Sequence, residues 1–269
     1  MKIAAIQMLS GPRLDDNLAA AGRLLAQAAA QGCELAVLPE YFCLLGRAET
    51  DKLAVREQPG AGPVQDFLAD QARRHGLWLV GGTLPLAGAD PGHVRNTCIA
   101  WSPAGEPVAR YDKIHLFRFD NGRERFDEAR TIEPGAAPVA FDLAARDGRR
   151  WRVGLSVCYD LRFPELYRRL DADLLLVPSA FTHGTGQAHW EPLLRARAIE
   201  NLAYVAAPAQ GGLHENGRRT WGHSLVVDPW GVVLAQREDE GEGLVVAALD
   251  GERLAQVRRQ LPALEHRVL

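Results

Sequence analysis

Cys158, Glu40 and Lys113 are the residues of this sequence best suited to carry a reaction. Cys158 closes the stretch Arg152-Val153-Gly154-Leu155-Ser156-Val157-Cys158, which reads as a strand, and Pro164 stands where a helix would open. A thiol at a strand-to-helix turn meets substrate, and backbone N–H groups there can hold an anion. An ordinary thiol has a pKa of about 8.5, so attack at neutral pH needs a base or a cation beside it. Glu40 follows the apolar run Leu35-Ala36-Val37-Leu38 and Pro39. A partly buried glutamate of this kind can have its pKa raised towards neutrality and act as a general base. Lys113, in Tyr111-Asp112-Lys113-Ile114-His115-Leu116-Phe117, could be the cation. Each residue alone also fits a plainer role: Cys158 as a small buried hydrophobe, Glu40 as a structural ion pair or helix cap, Lys113 as a solvated charge. Together they argue for chemistry, because one half of the chain supplies an acid–base pair and the other a thiol at comparable strand ends.

Other constellations match less well. Gly154-Leu155-Ser156-Val157-Cys158 falls short of a G-x-S-x-G nucleophile elbow, because its last position is cysteine and Ser156 lies inside the expected strand. A Cys–His–Asn arrangement would need one of eight histidines, and spacing leaves His115, His189 and His223 open. His183, His189 and Glu191 could ligate a metal, but no H-E-x-x-H is present. Gly60-Ala61-Gly62 and Gly81-Gly82 fit neither a dinucleotide fingerprint nor a P-loop, so no cofactor is expected.

The positioning elements recur in two halves. Asp16 to Gln31 reads as a helix that Asp15 or Asp16 could cap and Gly32 could end. Pro63 to His75 reads as a second helix closed by Gly76, and Leu77 to Val80 as a strand. In the second half, Leu174 to Phe181 resembles Leu35 to Phe42, and Ala203 to Ala207 answers Leu77 to Val80. The hairpin around Asp228-Pro229-Trp230-Gly231 echoes that around Ser102-Pro103-Ala104-Gly105. Strands apolar on both faces need helices on one side and a partner sheet on the other. The expectation is an α/β fold of two packed sheets with outer helices, in a single domain over residues 1–269.

The composition, 47% hydrophobic and 24% charged over 269 residues, is that of a globular protein. A net charge of −3 offers no footprint for nucleic acid or an anionic membrane. No stretch approaches the about 20 apolar residues that span a bilayer. The N-terminal run is too short for a signal peptide. Four cysteines without a C-x-x-C spacing suit a reducing cytoplasm.

Pro39-Glu40-Tyr41-Phe42, Tyr111 to Phe117 and Cys158-Tyr159-Asp160-Leu161-Arg162-Phe163-Pro164-Glu165 resemble, in order and separation, the three signature segments of the nitrilase superfamily. The resemblance implies a four-layer α-β-β-α sandwich with an internal pseudo-twofold repeat and a homodimer or higher homo-oligomer. It also implies a catalytic Glu40, Lys113 and Cys158, with a second glutamate orienting the lysine. Glu128 falls at the matching place, with Glu124 and Glu133 as neighbours. The Tyr159 N–H is expected to help hold an oxyanion. The chain would be an amidase that cleaves a small linear amide through a cysteine thioester, releasing ammonia and a carboxylic acid.

Ala188-His189-Trp190-Glu191, Leu194 to Glu200, Trp221-Gly222-His223-Ser224 and Val227 to Gly231 resemble the branch that hydrolyses deaminated glutathione. The omega-amidases and N-carbamoyl hydrolases are the competing activities, and a catalytically silent binding module is the remote one. Arg162 and Arg197 could bind a substrate carboxylate or form structural salt bridges. The loops His93 to Arg95 and Arg118 to Arg125 could border the pocket.

Overall fold

The computed structural model describes residues 1–122 and 124–268. The first half of the chain forms β1 (Lys2–Gln7), β2 (Leu35–Val37), β3 (Trp78–Val80), β4 (Leu84–Ala87), β5 (Val94–Trp101) and β6 (Pro107–Asp112). Helices α1 (Leu14–Ala30), α2 (Asp51–Ala54) and α3 (Pro63–His75) interrupt them. A ribbon of β7 (Arg118–Asp120) and β8 (Arg125–Asp127) follows, so part of the expected polar loop is paired backbone. The second half forms β9 (Val139–Ala144), β10 (Arg150–Leu155), β11 (Leu174–Leu176) and β12 (Tyr204–Ala207), with helices α4 (Pro164–Leu170) and α5 (His183–Asn201). A second ribbon, β13 (Gly211–Leu213) with β14 (Arg219–Trp221), precedes β15 (Leu225–Val227), β16 (Val233–Gln236), β17 (Gly243–Ala248) and helix α6 (Gly251–Gln260).

The two halves repeat one topology. β1, β2 and β3 run parallel, and β5 and β6 return antiparallel. β10, β11 and β12 likewise run parallel, and β15 and β16 return antiparallel. Both hairpins use a Pro-x-Gly turn. Gly105 N–H donates to Ser102 O at 2.8 Å and Gly231 N–H to Asp228 O at 2.9 Å. Both glycines have positive φ, 77° and 84°, which lets the chain turn back into the ladder. The closing strands are exchanged: β9 pairs antiparallel with β10, and β17 with β1.

Side-chain alternation explains why the strands read as unbroken apolar runs. Ile3, Ala5, Leu35 and Val37 belong to the core between the sheets. Ala4, Ile6, Ala36 and Leu38 pack instead with residues of α1 and α3. Helices α4 and α5 cover the second sheet, giving the four layers α-β-β-α. A fully buried leucine such as Leu175 contributes roughly 1.5–3 kcal/mol.

Two expectations need correction. Helix α1 starts at Leu14 rather than Asp16, and its N-cap is Arg13 without a side-chain cap. Asp15 and Asp16 sit in the first turn, where they face the positive end of the helix dipole. The strand expected to reach Cys158 stops at Leu155, which leaves Ser156 outside it. There the Asp160 carboxylate takes the Val157 N–H at 2.8 Å, and the Pro178 carbonyl takes the Cys158 N–H at 2.9 Å. The Val157 N–H is thus drawn out of the ladder, while the Cys158 N–H still follows the parallel register with the segment after β11, and a short 3₁₀ turn, Cys158–Arg162, begins.

Candidate active site

Glu40, Lys113 and Cys158 each follow a strand, β2, β6 and β10, at the edge where the parallel strands of both sheets end. That is the edge at which open α/β sheets place ligands. Glycines allow the backbone to pack closely there. A Cβ on Gly82 (φ 54°) would lie 2.0 Å from the Pro39 carbonyl oxygen, and one on Gly135 would lie 2.1 Å from that of Asp112.

Lys113 is the centre of the polar cluster. Its Nζ lies 2.9 Å from Glu40 Oε1 and 3.0 and 2.8 Å from the two oxygens of Glu128. All three side chains are buried or nearly so. The remaining acceptor capacity is also used. Asn96 Nδ2 donates to Glu40 Oε1 and the Ala180 N–H to Oε2, both at 2.9 Å. The Tyr41 hydroxyl and the Phe117 N–H donate to Glu128, both at 2.7 Å. Glu133 instead pairs with Arg95 at 2.7 Å, so Glu128 is the glutamate that meets the lysine.

Burial works against charge on Lys113, but the carboxylates of Glu128 and Glu40 outweigh it and raise its pKa. Burial would likewise raise the Glu128 pKa, and the Lys113 charge and hydrogen bond reverse this and lower it. The cluster is therefore an ammonium held by ionised Glu128. Cys158 shares one pocket with Glu40, Glu128, Phe117, Tyr159 and Phe181. Burial, and then the Glu40 charge, push its pKa well up, against a smaller lowering by Lys113. Its resting state is the thiol, so a nucleophilic role would require a neighbouring base to take the proton. Cys158 has φ 49°, a left-handed conformation that L residues seldom adopt. Among the described residues, the Tyr159 N–H one position on has no acceptor.

The histidines are engaged elsewhere. His115 Nδ1 lies 2.7 Å from Asp160, His189 lies near Arg162, and His223 stacks on Trp221. His183 stands edge-on to the same indole. Arg197 is structural: its Nε and Nη2 donate to the Leu161 carbonyl, and its Nη1 pairs with Glu200. Arg162 lines the cysteine pocket.

No sequence motif by itself gives Asn96, Tyr41, Ala180 or Asp160 a role. The repeat nevertheless signals Ala180, because Pro178-Ser179-Ala180 stands where Pro39-Glu40-Tyr41 stands in the first half. The cysteine pocket adjoins a larger cleft lined by Tyr41, Leu44, Lys52, Phe126 and Asn216, and the two share Phe117, Glu128 and Arg218.

The family model for carbon-nitrogen hydrolases matches residues 2–259. The chain belongs to the carbon-nitrogen hydrolase family. The hydrolase is 44% identical over 273 residues to a deaminated glutathione amidase of Synechocystis sp., covering 98% of this chain and 97% of that protein. It is 36% identical over 270 residues to the human omega-amidase NIT2, covering 99% and 94%. The crystal structure of the C. elegans NitFhit protein matches with a TM-score of 0.88 at 37% identity, covering 99% of this chain and 65% of that chain. The hydrolase therefore acts on non-peptide carbon–nitrogen bonds, and the nitrilase-type sandwich expected from the motifs is the observed fold.

Proposed function

We propose that this hydrolase is a deaminated glutathione amidase whose nucleophile is Cys158, whose general base is Glu40 and whose oxyanion-stabilising cation is Lys113. The observation that carries this reading is the buried Glu40–Lys113–Glu128 cluster beside the Cys158 pocket. Glu40 takes the thiol proton as Sγ attacks the amide carbon. The Lys113 ammonium and the Tyr159 N–H face the oxyanion, and one such donor is worth roughly 2.7–4 kcal/mol of barrier. Glu40 returns the proton to the departing nitrogen as the C–N bond breaks, leaving a thioester. Glu40 then activates a water that hydrolyses the thioester and frees the acid and the thiol. Glu128 holds the lysine charged and in place throughout.

The leaving group needs one correction to the expectation of ammonia. The amide of deaminated glutathione is secondary, so its cleavage frees a cysteinylglycine dipeptide, whereas a primary amide such as alpha-ketoglutaramate frees ammonia. The cleft beyond Phe117 offers room for a dipeptide, which favours the first substrate. Similarity to an omega-amidase supports the second.

We further propose that the chain works as one domain, in the cytoplasm, where its free, buried cysteines stay reduced. A homodimer is supported by the exposed apolar side chains of Ile199, Trp230, Val232 and Leu234 around the β15–β16 hairpin. Sedimentation of the purified protein checks this.

The deciding assay follows dipeptide release from deaminated glutathione and ammonia release from alpha-ketoglutaramate, with Cys158→Ala as control. A higher kcat/KM on deaminated glutathione, abolished in the variant, supports the proposal. A preference for alpha-ketoglutaramate moves the protein to the omega-amidases with the mechanism intact. Activity on neither removes the substrate assignment.

A further inference from the structure

Arg218 forms part of the wall shared by the cysteine pocket and the outer cleft, and its guanidinium is incompletely satisfied. Its Nη2 donates to the Ala180 carbonyl at 2.9 Å, on the peptide segment whose N–H holds Glu40. Its guanidinium carbon lies 5.1 Å from the centre of the Phe126 ring, which fixes the plane of the fork. Its Nε is buried with no hydrogen-bond partner, an arrangement that a protein seldom leaves uncompensated.

The other cations of the outer cleft are neutralised. Arg47 pairs with Glu215 at 2.6 Å and Lys52 with Glu49 at 2.8 Å. Among the described residues, Arg218 makes no ion pair, not even with Asp127, which lines the same cleft. The catalytic cluster carries two carboxylates against one ammonium, and this imbalance would repel an anionic substrate unless a fixed cation stood on its path. A planar guanidinium matches a carboxylate in shape and charge.

We propose that Arg218 binds a carboxylate of the substrate where the cysteine pocket meets the outer cleft, and so selects anionic amides over neutral ones. The inference rests on the reading of the pocket as the amidase site. The carboxylate belongs either to the acyl part of the substrate or to its leaving group, and both are carboxylates of a short flexible chain.

The test reads binding without turnover, as protection of Cys158 against alkylation by iodoacetamide. Glutarate stands in for the acyl part, N-acetylalanylglycine, whose nitrogen is acylated as in the substrate, for the leaving group, and glutaramide is the neutral control. In Arg218→Gln, which keeps a donor but loses the charge, the half-protecting concentration of one anion rises at least tenfold. That of glutaramide stays within twofold, and Arg218→Lys recovers part of the loss. The anion affected names the source of the carboxylate. The unprotected alkylation rate in each variant reports whether the pocket around Cys158 stands.

An unchanged half-protecting concentration for both anions overturns the proposal. So does an equal rise for glutaramide, or a wild type that neither anion protects. Anion protection that depends on Arg218 in an enzyme inactive on deaminated glutathione keeps this inference and removes the substrate assignment. Turnover of deaminated glutathione with protection indifferent to Arg218 does the reverse.

Discussion

The Tyr111 hydroxyl donates a 2.7 Å hydrogen bond to Asp160 and so joins the strand leading to Lys113 to the turn that carries Cys158. The same buried carboxylate accepts from the Val157 N–H at 2.8 Å, the His115 N–H at 3.1 Å and His115 Nδ1 at 2.7 Å. Donors from both halves of the chain converge on one side chain. In Asp160→Asn an amide NH₂ would point at groups that are themselves donors. We expect a loss of about 2–3 kcal/mol in urea unfolding and at least a tenfold drop in kcat. Tyr111→Phe removes one donor only and should cost about 1 kcal/mol. An Asp160→Asn enzyme with wild-type stability and rate would show that the junction is dispensable.

Glu128 should be worth more to stability than an exposed acid. Glu128→Gln leaves the buried Lys113 with one carboxylate in place of two, and removing a partner from a buried pair typically costs about 3–5 kcal/mol. The Glu128 pKa lies below its ordinary value in the folded state. Its contribution is therefore complete above about pH 4.5, the unfolded value, and is lost as pH falls through the folded one. Unfolding free energies measured from pH 7 to pH 3 should fall less steeply in Glu128→Gln than in the wild type.

Cys158 holds a conformation that suits glycine, with φ 49°. An L residue pays about 1–2 kcal/mol there. Cys158→Gly and Cys158→Ala should both be inactive, with the glycine variant more stable in urea by about 1 kcal/mol. Equal stabilities would mean that the turn relaxes once the thiol is gone.

His214 sets a second pH limit. It is buried, with Nδ1 donating to the Ser10 carbonyl at 2.8 Å and Nε2 accepting from the Thr220 hydroxyl at 2.7 Å. Burial disfavours its charged form and lowers its pKa to about 4. The unfolded chain binds this proton near pH 6.5 and the folded one does not. Stability is therefore lost as pH falls from about 6.5 to about 4, by on the order of 3 kcal/mol. Denaturation of His214→Gln across this range should lack that component.

The three principal site residues are legible because each stands in a strand-end segment with neighbours that restrict it. Glu128 is harder to separate from Glu124 and Glu133 by spacing, and only the path of the β7–β8 ribbon brings it onto Lys113. The repeat is legible because both hairpins need the same Pro-x-Gly chemistry and both sets of strands are buried on two faces. Arg218 is not, since Asn216-Gly217-Arg218-Arg219 reads as an ordinary polar turn until the fold sets it against Phe126. The stop at Leu155 is equally hidden, because local apolar pattern favours a longer strand and only the turn that brings the Asp160 carboxylate back onto the Val157 N–H ends it.

The exchange of β9 and β17 makes the fold a ring of two interlocked halves. Each half surrenders its last strand to the other, so neither closes on its own. The ring is open where β17 meets β1, and there the Met1 amino group lies 3.1 Å from the Leu249 carbonyl. The halves are linked through the exposed Ala136–Ala137 segment, just ahead of the exchanged strand β9. The exchange also means that on a growing chain the sheet beneath Glu40 receives its edge strand, residues 243–248, only after Glu40, Lys113 and Cys158 have all been made.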